Sequence, residues 1–299
     1  MSAPAPGQPV FGRLLTAMVT PFAEDGSLDL DATRALARYL VDELANDGLV
    51  VNGTTGESPT TTDAEKQQVL RAVVEEVGDR AVVVAGVGTY DPEHTVHLAE
   101  QATDAGADGL LVVTPFYSRP TQQGLLAHFT SVADRTRLPI MLYDIPHRAG
   151  TAIETDTLIR LAEHERIVAV KDAKSDPVAS SQVMAATDLA WYAGDDAITL
   201  PLLAVGAVGV VGTSTHFTGV GMKELIEAQV RGDAAAALAA HRRLLPVMTG
   251  VFATQGCSMV KAALALQGHR VGPVRLPMVP PTSEQLDRFA DQLRGAGLL

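Results

Sequence analysis

Lys171 stands near the end of the apolar heptapeptide Ile-Val-Ala-Val-Lys-Asp-Ala, residues 167–173. Four apolar residues run into the lysine without polar alternation, which is typical of a strand buried on both faces in a parallel sheet. Because burial disfavours an ammonium ion, the pKa of this lysine is expected to fall. A partly neutral lysine can attack a carbonyl carbon and form a Schiff base. The heptapeptide alone favours the ordinary alternative, in which the side chain extends to solvent or pairs with Asp172.

Three further features could take part in such chemistry, and each has an ordinary alternative. The segment Gly53-Thr54-Thr55-Gly56 could direct amides and hydroxyls at an anion, or it could be a plain glycine-rich turn. Tyr143 is a candidate proton shuttle, although a buried tyrosine with a satisfied hydroxyl is more common. Arg148 could present its planar fork to a carboxylate, or it could be a solvated loop arginine. The positions of these residues in the fold therefore have to decide between the functional and the ordinary interpretation of each.

The elements that would position these residues follow a repeating pattern. Eight short apolar runs alternate with helical stretches, at residues 14–22, 49–53, 81–88, 109–115, 139–146, 167–173, 189–194 and 207–213. Eight strands separated by helices predict an α/β fold, the closed (β/α)8 TIM barrel. Helix starts are marked by a capping box at Thr62 and Glu65, by Asp91 followed by Pro92, and by Asp31 as a candidate N-cap.

The pattern changes after about Gly232. Three helices without intervening strands are expected at residues 233–247, 258–266 and 283–293. We therefore predict three parts: a disordered lead at 1–10, a (β/α)8 catalytic barrel at 11–232 and a C-terminal three-helix domain at 233–299.

The polar residues of the predicted barrel are concentrated at one end. Segments 20–22, 53–58, 88–90, 115–120, 143–148, 171–172, 194–196 and 212–214 follow the strands and hold unusual polar residues, whereas 78–80 and 106–108 at the opposite end are ordinary turns. Active sites of such barrels are built from the loops that follow the strands, so Lys171 belongs to a predicted active site. Asp195 and Asp196 occupy the usual phosphate position, and their charge favours carboxylate substrates over sugar phosphates.

Composition restricts the class of protein. The 299 residues are 46% hydrophobic and 19% charged, which is ordinary for a globular enzyme, and the net charge of −12 argues against nucleic acid or an anionic membrane as partner. There is no apolar run of membrane-spanning length and no signal-peptide pattern at the start. The single cysteine, Cys257, excludes an internal disulfide and indicates the cytoplasm. His94 and His97 share a helix face, but a solvated surface explains them better than a metal site.

Five motifs in order and spacing resemble a known family. Residues 53–58 (Gly-Thr-Thr-Gly-Glu-Ser), 115–117, 143–146 with Arg148, 170–172 and 194–196 resemble the dihydrodipicolinate synthases, part of the pyruvate-dependent class I aldolases that include N-acetylneuraminate lyase. The resemblance runs from about Phe11 to the C-terminus. It implies a (β/α)8 barrel with a C-terminal helical domain, a homotetramer of tight dimers, and a lyase that uses neither a metal nor an organic cofactor.

The resemblance also implies catalytic roles. Lys171 matches the lysine that forms the Schiff base with pyruvate. Tyr143 matches the tyrosine that relays protons, assisted by Thr54 and Tyr117. The residue matching Tyr117 reaches across the dimer interface into the neighbouring active site.

The resemblance implies substrate-binding roles for Thr54 and for four further residues. Thr54 and Thr55 match the threonines that hold the pyruvate carboxylate, and Arg148 matches the arginine that binds the carboxylate of L-aspartate 4-semialdehyde. Gly194 and Val211 fall where the family lines the pyruvate pocket. The expected product is 4-hydroxy-tetrahydrodipicolinate, in the diaminopimelate and lysine pathway.

Two alternatives stay open. Another pyruvate aldolase or lyase, of neuraminate-lyase or keto-deoxy-gluconate type, would still form the imine on Lys171. Arg148 favours the synthase, because the second substrate of the neuraminate lyases is an uncharged sugar aldehyde. The other alternative is a non-catalytic barrel that binds a carboxylate ligand.

The resemblance further implies a feedback site for lysine in some relatives, formed by histidines and a tyrosine at the dimer interface. This chain has Asp63, Lys66 and Phe116 at the matching positions, with Tyr90 and His94 nearby. We therefore expect lysine to inhibit weakly or not at all.

Overall fold

The structure is a computed structural model that describes residues 8–299. Eight parallel strands pair in chain order, and the last pairs with the first to close a barrel. They are β1 (Leu14–Ala17), β2 (Gly48–Val51), β3 (Val82–Gly86), β4 (Gly109–Val113), β5 (Ile140–Asp144), β6 (Ile167–Asp172), β7 (Ala190–Ala193) and β8 (Gly209–Gly212). The predicted (β/α)8 TIM barrel is confirmed. The predicted disordered lead falls mostly outside the described residues.

Helices follow the strands and cover the barrel. Within residues 8–299 they are α1 (Leu30–Arg38), α2 (Asp63–Val77), α3 (Pro92–Asp104), α4 (Gln122–Asp134), α5 (Pro146–Ala149), α6 (Thr155–Leu161), α7 (Pro177–Ala186), α8 (Thr199–Ala204), α9 (Thr215–Val230), α10 (Ala234–Gly250), α11 (Gly256–Leu266) and α12 (Ser283–Gly295). None of these helices is long and apolar enough to cross a membrane.

Helix starts agree with the sequence signals except at α1. Thr62 and Glu65 form the predicted capping box of α2, and Asp91 caps α3. The N-cap of α1 is Asp29, whose carboxylate accepts the amide of Ala32 at 2.9 Å, so the prediction of Asp31 is wrong. The backbone of Asp29 is extended, as an N-cap requires, whereas Asp31 already lies in the first helical turn.

The barrel has a core on each side of its sheet. All residues of β1, β2, β7 and β8 are buried, as expected for parallel strands covered on both faces. The inner layer includes Leu15, Val50, Val84, Met141, Tyr143, Ala169, Tyr192 and Val211. A second layer joins the outer face of the strands to the helices. The side chains at the C-terminal ends of β5 and β6 are therefore held by packing from both directions.

Three helices are present in the C-terminal part, close to the predicted positions. Helix α10 packs along α9 and against α12. Because this packing joins α10 directly to the barrel helix α9, the division into domains at residue 232 stays a prediction.

Candidate active site

Lys171 and Tyr143 lie side by side at the C-terminal ends of neighbouring strands. They are register partners in the pairing of β5 with β6. The Nζ atom of Lys171 lies 4.3 Å from the centre of the Tyr143 ring. Each residue is 5% exposed. The fold therefore places an amine and a phenol together where the sequence predicted the reactive centre.

Burial lowers the pKa of Lys171 from 10.5 to about 8. The negative charge of Asp196 opposes this fall, and the positive charge of Arg148 adds to it. A pKa near 8 leaves about a tenth of the amine neutral at pH 7, whereas an ordinary lysine has less than about a thousandth neutral. The site thus increases the fraction of the nucleophile that can attack a carbonyl.

Tyr143 stays protonated near neutral pH. Burial raises the pKa of its phenol, while the charge of Arg148 and a hydrogen bond with Thr54 act in the opposite direction. Its ring is held by inner-layer packing, and its carbonyl accepts the backbone amide of Thr114 at 3.0 Å. A fixed, protonated phenol beside an amine can donate and recover a proton, which is what a relay requires.

A cavity of about 470 Å³ opens at this end of the barrel. Its walls include Thr54, Tyr143 and Arg148, together with Lys66, Tyr90 and His94. The Lys171 side chain lies next to the ring of Tyr143 and is almost wholly covered. Arg148 is exposed on the short helix α5, which places its charge at the opening.

The turn after β2 presents Thr54 to this cavity. The amide of Glu57 donates to the carbonyl of Thr54 at 3.1 Å, and the amide of Ser58 donates to that of Gly53 at 3.3 Å. Thr55 is turned elsewhere, since its hydroxyl lies 3.5 Å from that of Thr213 after β8. The structure thus brings Thr54 to the cavity wall and leaves Thr55 next to the β8 loop.

Gly194 and Val211 are not among the residues that line this cavity. A Cβ atom at Gly194 would lie 3.0 Å from Cγ of Lys171 and 3.0 Å from the carbonyl of Asp172, so glycine makes room for the stem of the lysine. Val211 is fully buried in the inner layer. Their contact with pyruvate stays a prediction.

Tyr117 is not brought into the cavity of its own chain. Its side chain is 95% exposed, and its backbone has a φ of +70°, which is uncommon for a residue other than glycine. This conformation directs a large aromatic side chain into solvent. The predicted role of Tyr117 in a neighbouring subunit therefore stays a prediction.

Asp196 acts differently from the role that the sequence indicated. Its Oδ1 atom accepts the amide and the hydroxyl of Ser214, at 3.0 and 2.6 Å, and its Oδ2 atom accepts the amide of Thr213 at 3.0 Å. The buried carboxylate fastens the β8 loop and affects the pKa of Lys171, and is not free at the opening to repel a phosphate. The sequence marked this residue, but local pattern does not show where a carboxylate points.

An ion pair beside the reactive residues was not foreseen. Lys174 Nζ lies 3.2 Å from Oδ2 of Asp144, which is fully buried. Asp144 follows Tyr143 directly, and Lys174 follows Lys171 by three residues. The available signal was a pair of opposite charges close to the ends of two neighbouring strands, with Asp144 as the last residue of β5 and Lys174 two residues beyond β6.

The two histidines considered for a metal have other partners. His94 Nε2 lies 2.9 Å from Asp63, and His97 Nε2 lies 2.9 Å from the amide of Gln101. No group of three or more His, Cys, Asp or Glu side chains within residues 8–299 could hold a metal ion.

The pKa of Lys171 predicts how imine formation depends on pH. Trapping of a pyruvate imine by cyanoborohydride is expected to become about tenfold faster per pH unit below about pH 8, and to level off above it, because only the neutral amine attacks. The initial rate of mass increase on the peptide that holds Lys171 measures this. A profile that keeps rising to pH 10 would contradict the lowered pKa.

Comparisons with known proteins identify the family of the chain. The profile of the dihydrodipicolinate synthetase family matches residues 10–296. A 4-hydroxy-tetrahydrodipicolinate synthase of Acidothermus cellulolyticus is 64% identical over 98% of this chain and 94% of its own length. One of Cutibacterium acnes is 65% identical over 94% of this chain and 96% of its own length. The crystal structure of DHDPS from Cyanidioschyzon merolae with lysine bound superimposes with a TM-score of 0.95 at 38% identity, covering 98% of this chain and 100% of the other.

Proposed function

The chain belongs to the dihydrodipicolinate synthetase family, and we propose that Lys171, Tyr143, Thr54 and Arg148 carry out the reaction of that family here. The protein is a lyase with 4-hydroxy-tetrahydrodipicolinate synthase activity, which condenses pyruvate with L-aspartate 4-semialdehyde in diaminopimelate and lysine biosynthesis. The names of the relatives favour this activity over a neuraminate-type lyase or a non-catalytic barrel.

The first half of the proposed reaction takes place on pyruvate. Neutral Lys171 attacks the ketone carbon, and the carbinolamine loses water to give an iminium ion. Tyr143 supplies the proton for the departing hydroxyl and recovers it through Thr54, next to its phenol. The iminium withdraws electrons from the methyl group, so a proton is lost and a nucleophilic enamine forms. The observation that supports this step is the buried amine 4.3 Å from the phenol ring.

The second half adds the aldehyde. The enamine carbon attacks the aldehyde of the semialdehyde, whose amino group then displaces Lys171 and closes the ring. Arg148 at the cavity opening holds the carboxylate of this substrate with its planar fork. The Thr54 hydroxyl and the backbone amide of Thr55 hold the pyruvate carboxylate, and Gly194 and Val211 bound the space around the lysine.

Two measurements test this function. Reductive trapping with pyruvate should add a three-carbon group to the peptide that contains Lys171, and no adduct would exclude every imine mechanism. Turnover with L-aspartate 4-semialdehyde should exceed cleavage of N-acetylneuraminate and of keto-deoxy-gluconate-type aldols by orders of magnitude. Faster cleavage of either aldol would assign the protein to a different branch of the aldolases.

We further propose a homotetramer built as a dimer of dimers, located in the cytoplasm. Cys257 is buried and unpaired, which suits a reducing compartment. Tyr117 and Tyr90 are large aromatic residues with 95% and 63% exposure, which is unusual for a surface that stays in water. Sedimentation or mass photometry at working concentration would measure the assembly.

Tyr117 is expected to act in the neighbouring subunit. Tyr117→Phe should lower kcat by about a hundredfold, because an assisting proton donor is lost. Coexpression of Tyr117→Phe with Lys171→Met chains should recover about a quarter of wild-type activity, since half of the randomly mixed dimers contain one intact site. No recovery, with mixed dimers demonstrated by mass spectrometry, would place Tyr117 in its own site or outside the reaction.

Lysine is expected to inhibit weakly or not at all. Asp63 lies 2.9 Å from His94, and the ammonium of Lys66 donates to the carbonyl of Thr61 at 2.5 Å. Two of the positions that match the feedback site therefore hold a carboxylate that is already paired and a cation. A second cation would be repelled by Lys66. Inhibition by sub-millimolar lysine in a coupled assay would contradict this prediction.

A further inference from the structure

A buried ion pair joins the turn that presents Thr54 to the C-terminal helices. Lys261 of α11 places Nζ 2.7 Å from Oε1 of Glu57, and the side chains are 3% and 2% exposed. The other oxygen of Glu57 accepts the backbone amide of Arg275 at 2.8 Å. Both oxygens of this carboxylate are therefore held by residues that follow the barrel.

The backbone of Glu57 connects this pair to the cavity. Its φ is +57°, in the left-handed region that costs energy for a residue with a side chain. Its amide donates to the carbonyl of Thr54 at 3.1 Å and so closes the turn. Strain of this kind persists only when neighbouring contacts fix the residue, and the charged side chain supplies such contacts.

Further contacts tie the same C-terminal segment to the turn. Arg275 forms a two-point ion pair with Glu65, with distances of 2.6 and 3.0 Å, and also donates to the carbonyl of Thr60 at 2.8 Å. The ammonium of Lys261 donates to Pro273 at 2.8 Å and lies 4.1 Å from the ring centre of Phe22. The turn, the start of α2 and the segment after α11 thus form one connected unit.

Burying an ion pair is costly, and apolar residues of the same size often give equal or greater stability. Burial lowers the pKa of Lys261, and Glu57 opposes that fall. The pair is therefore better explained by a requirement for one defined geometry than by stability alone.

We propose that Glu57 is a positioning residue, through which Lys261 and the backbone of Arg275 hold the turn 53–57 so that the Thr54 hydroxyl meets Tyr143 and pyruvate. The inference rests on the proposed function, because it concerns the site where pyruvate is bound. Glu57 itself is buried and does not line the cavity, and the C-terminal helices become part of the support of the active site.

The test uses the full-length protein with Glu57→Gln, Lys261→Met and the double variant. The readouts are the pyruvate concentration that half-saturates reductive trapping on Lys171, and the Tm. Asp47→Asn is the matched control: Asp47 pairs with Lys223 and accepts the amides of Arg13 and Leu14, but it lies before β2 at the opposite end of the barrel. Its loss should lower the Tm and leave pyruvate half-saturation unchanged.

Glu57→Gln is expected to raise pyruvate half-saturation at least about tenfold, because a misplaced Thr54 binds the carboxylate poorly. Each single variant leaves a buried charge unpaired, so its Tm should fall. The double variant removes both charges, so its Tm should recover, while the half-saturating pyruvate concentration should stay raised. The inference would be overturned if Glu57→Gln needed the same pyruvate concentration for half-saturation as the wild type. It would also be overturned if the double variant recovered both the wild-type Tm and the wild-type half-saturating concentration. Should Glu57→Gln not fold, the double variant alone decides. Absence of a pyruvate adduct in the wild type would instead contradict the proposed function.

Discussion

Replacing Lys171 with methionine is expected to abolish synthesis and to make the folded protein more stable. Methionine has a similar length and no charge, so it can fill the same buried space beside Tyr143. Without the amine no imine forms, and kcat should fall at least about ten-thousand-fold. The loss of activity identifies the nucleophile, and the gain in stability tests the physical reason for its reactivity.

The size of the stability gain follows from the pKa of Lys171. The folded state lowers it from 10.5 to about 8 by burial, which corresponds to about 3 kcal/mol at neutral pH. Between these two values the unfolded chain binds the proton and the folded chain does not, so the wild type gains stability as pH rises from about 8 towards 10.5. The advantage of Lys171→Met should therefore be largest below pH 8 and shrink at higher pH. Denaturant unfolding at pH 7 and at pH 10 measures this difference.

Lys174→Met is the matched comparison. It removes the partner of the fully buried Asp144, so the free energy of unfolding should fall by about 3–5 kcal/mol. The pyruvate adduct should still form on Lys171 in this variant. Equal losses of stability in both lysine variants would show that Lys171 is stabilised by its surroundings and does not have a lowered pKa.

Periodicity predicted the barrel, because each strand carries its own local signal of apolar residues bounded by turns. The first predicted run, 14–22, was too long: only 14–17 form β1, and the remainder belongs to the loop that follows this strand. Lys171 could be placed in the site from two facts that need no structure, an apolar run that ends in a cation and polar residues at one end of the barrel.

The electrostatic partners of the site could not be predicted in this way. Asp196 influences Lys171 from the loop after the next strand, and Glu57 is held by Lys261 from a helix far along the chain. Such pairs depend on side-chain direction and on tertiary packing, for which a single sequence contains no periodic signal. The same limit explains Thr55, whose hydroxyl points to the β8 loop and not to the cavity that its neighbour lines.

The contacts around the site divide the work between two parts of the fold. The ends of β5 and β6 hold the amine and the phenol within the inner core, where packing fixes their distance. The turn 53–57 and α5 are less buried and carry Thr54 and Arg148, which face the cavity. We infer that bond-making groups lie on rigid strands, whereas the groups that recognise carboxylates lie on loops that need support from elsewhere.

Arg148 provides the second large effect. Arg148→Gln is expected to lower kcat/KM for L-aspartate 4-semialdehyde by about a hundredfold, since a charge-assisted two-point contact contributes on the order of 3 kcal/mol. Half-saturation by pyruvate should change less than about threefold. Steady-state kinetics with each substrate varied in turn separate the effect on the semialdehyde from the effect on pyruvate. The exposed neighbour His147 is the control, and His147→Gln should leave both parameters within about twofold.

The charge of Arg148 has an electrostatic effect that can be separated from carboxylate binding by its planar guanidinium group. Its charge lowers the pKa of Lys171 and of Tyr143, so Arg148→Gln should move the inflection of pyruvate imine formation to higher pH. Arg148→Lys keeps the charge but not the planar pair of donors, so it should retain the wild-type inflection and still lose about tenfold in kcat/KM for the semialdehyde. An equal loss for pyruvate and semialdehyde in both variants would contradict the assignment of Arg148 to the second substrate. A shifted inflection with normal use of the semialdehyde would leave Arg148 an electrostatic role only, and recognition of the second carboxylate would then have to come from another side chain of the cavity wall.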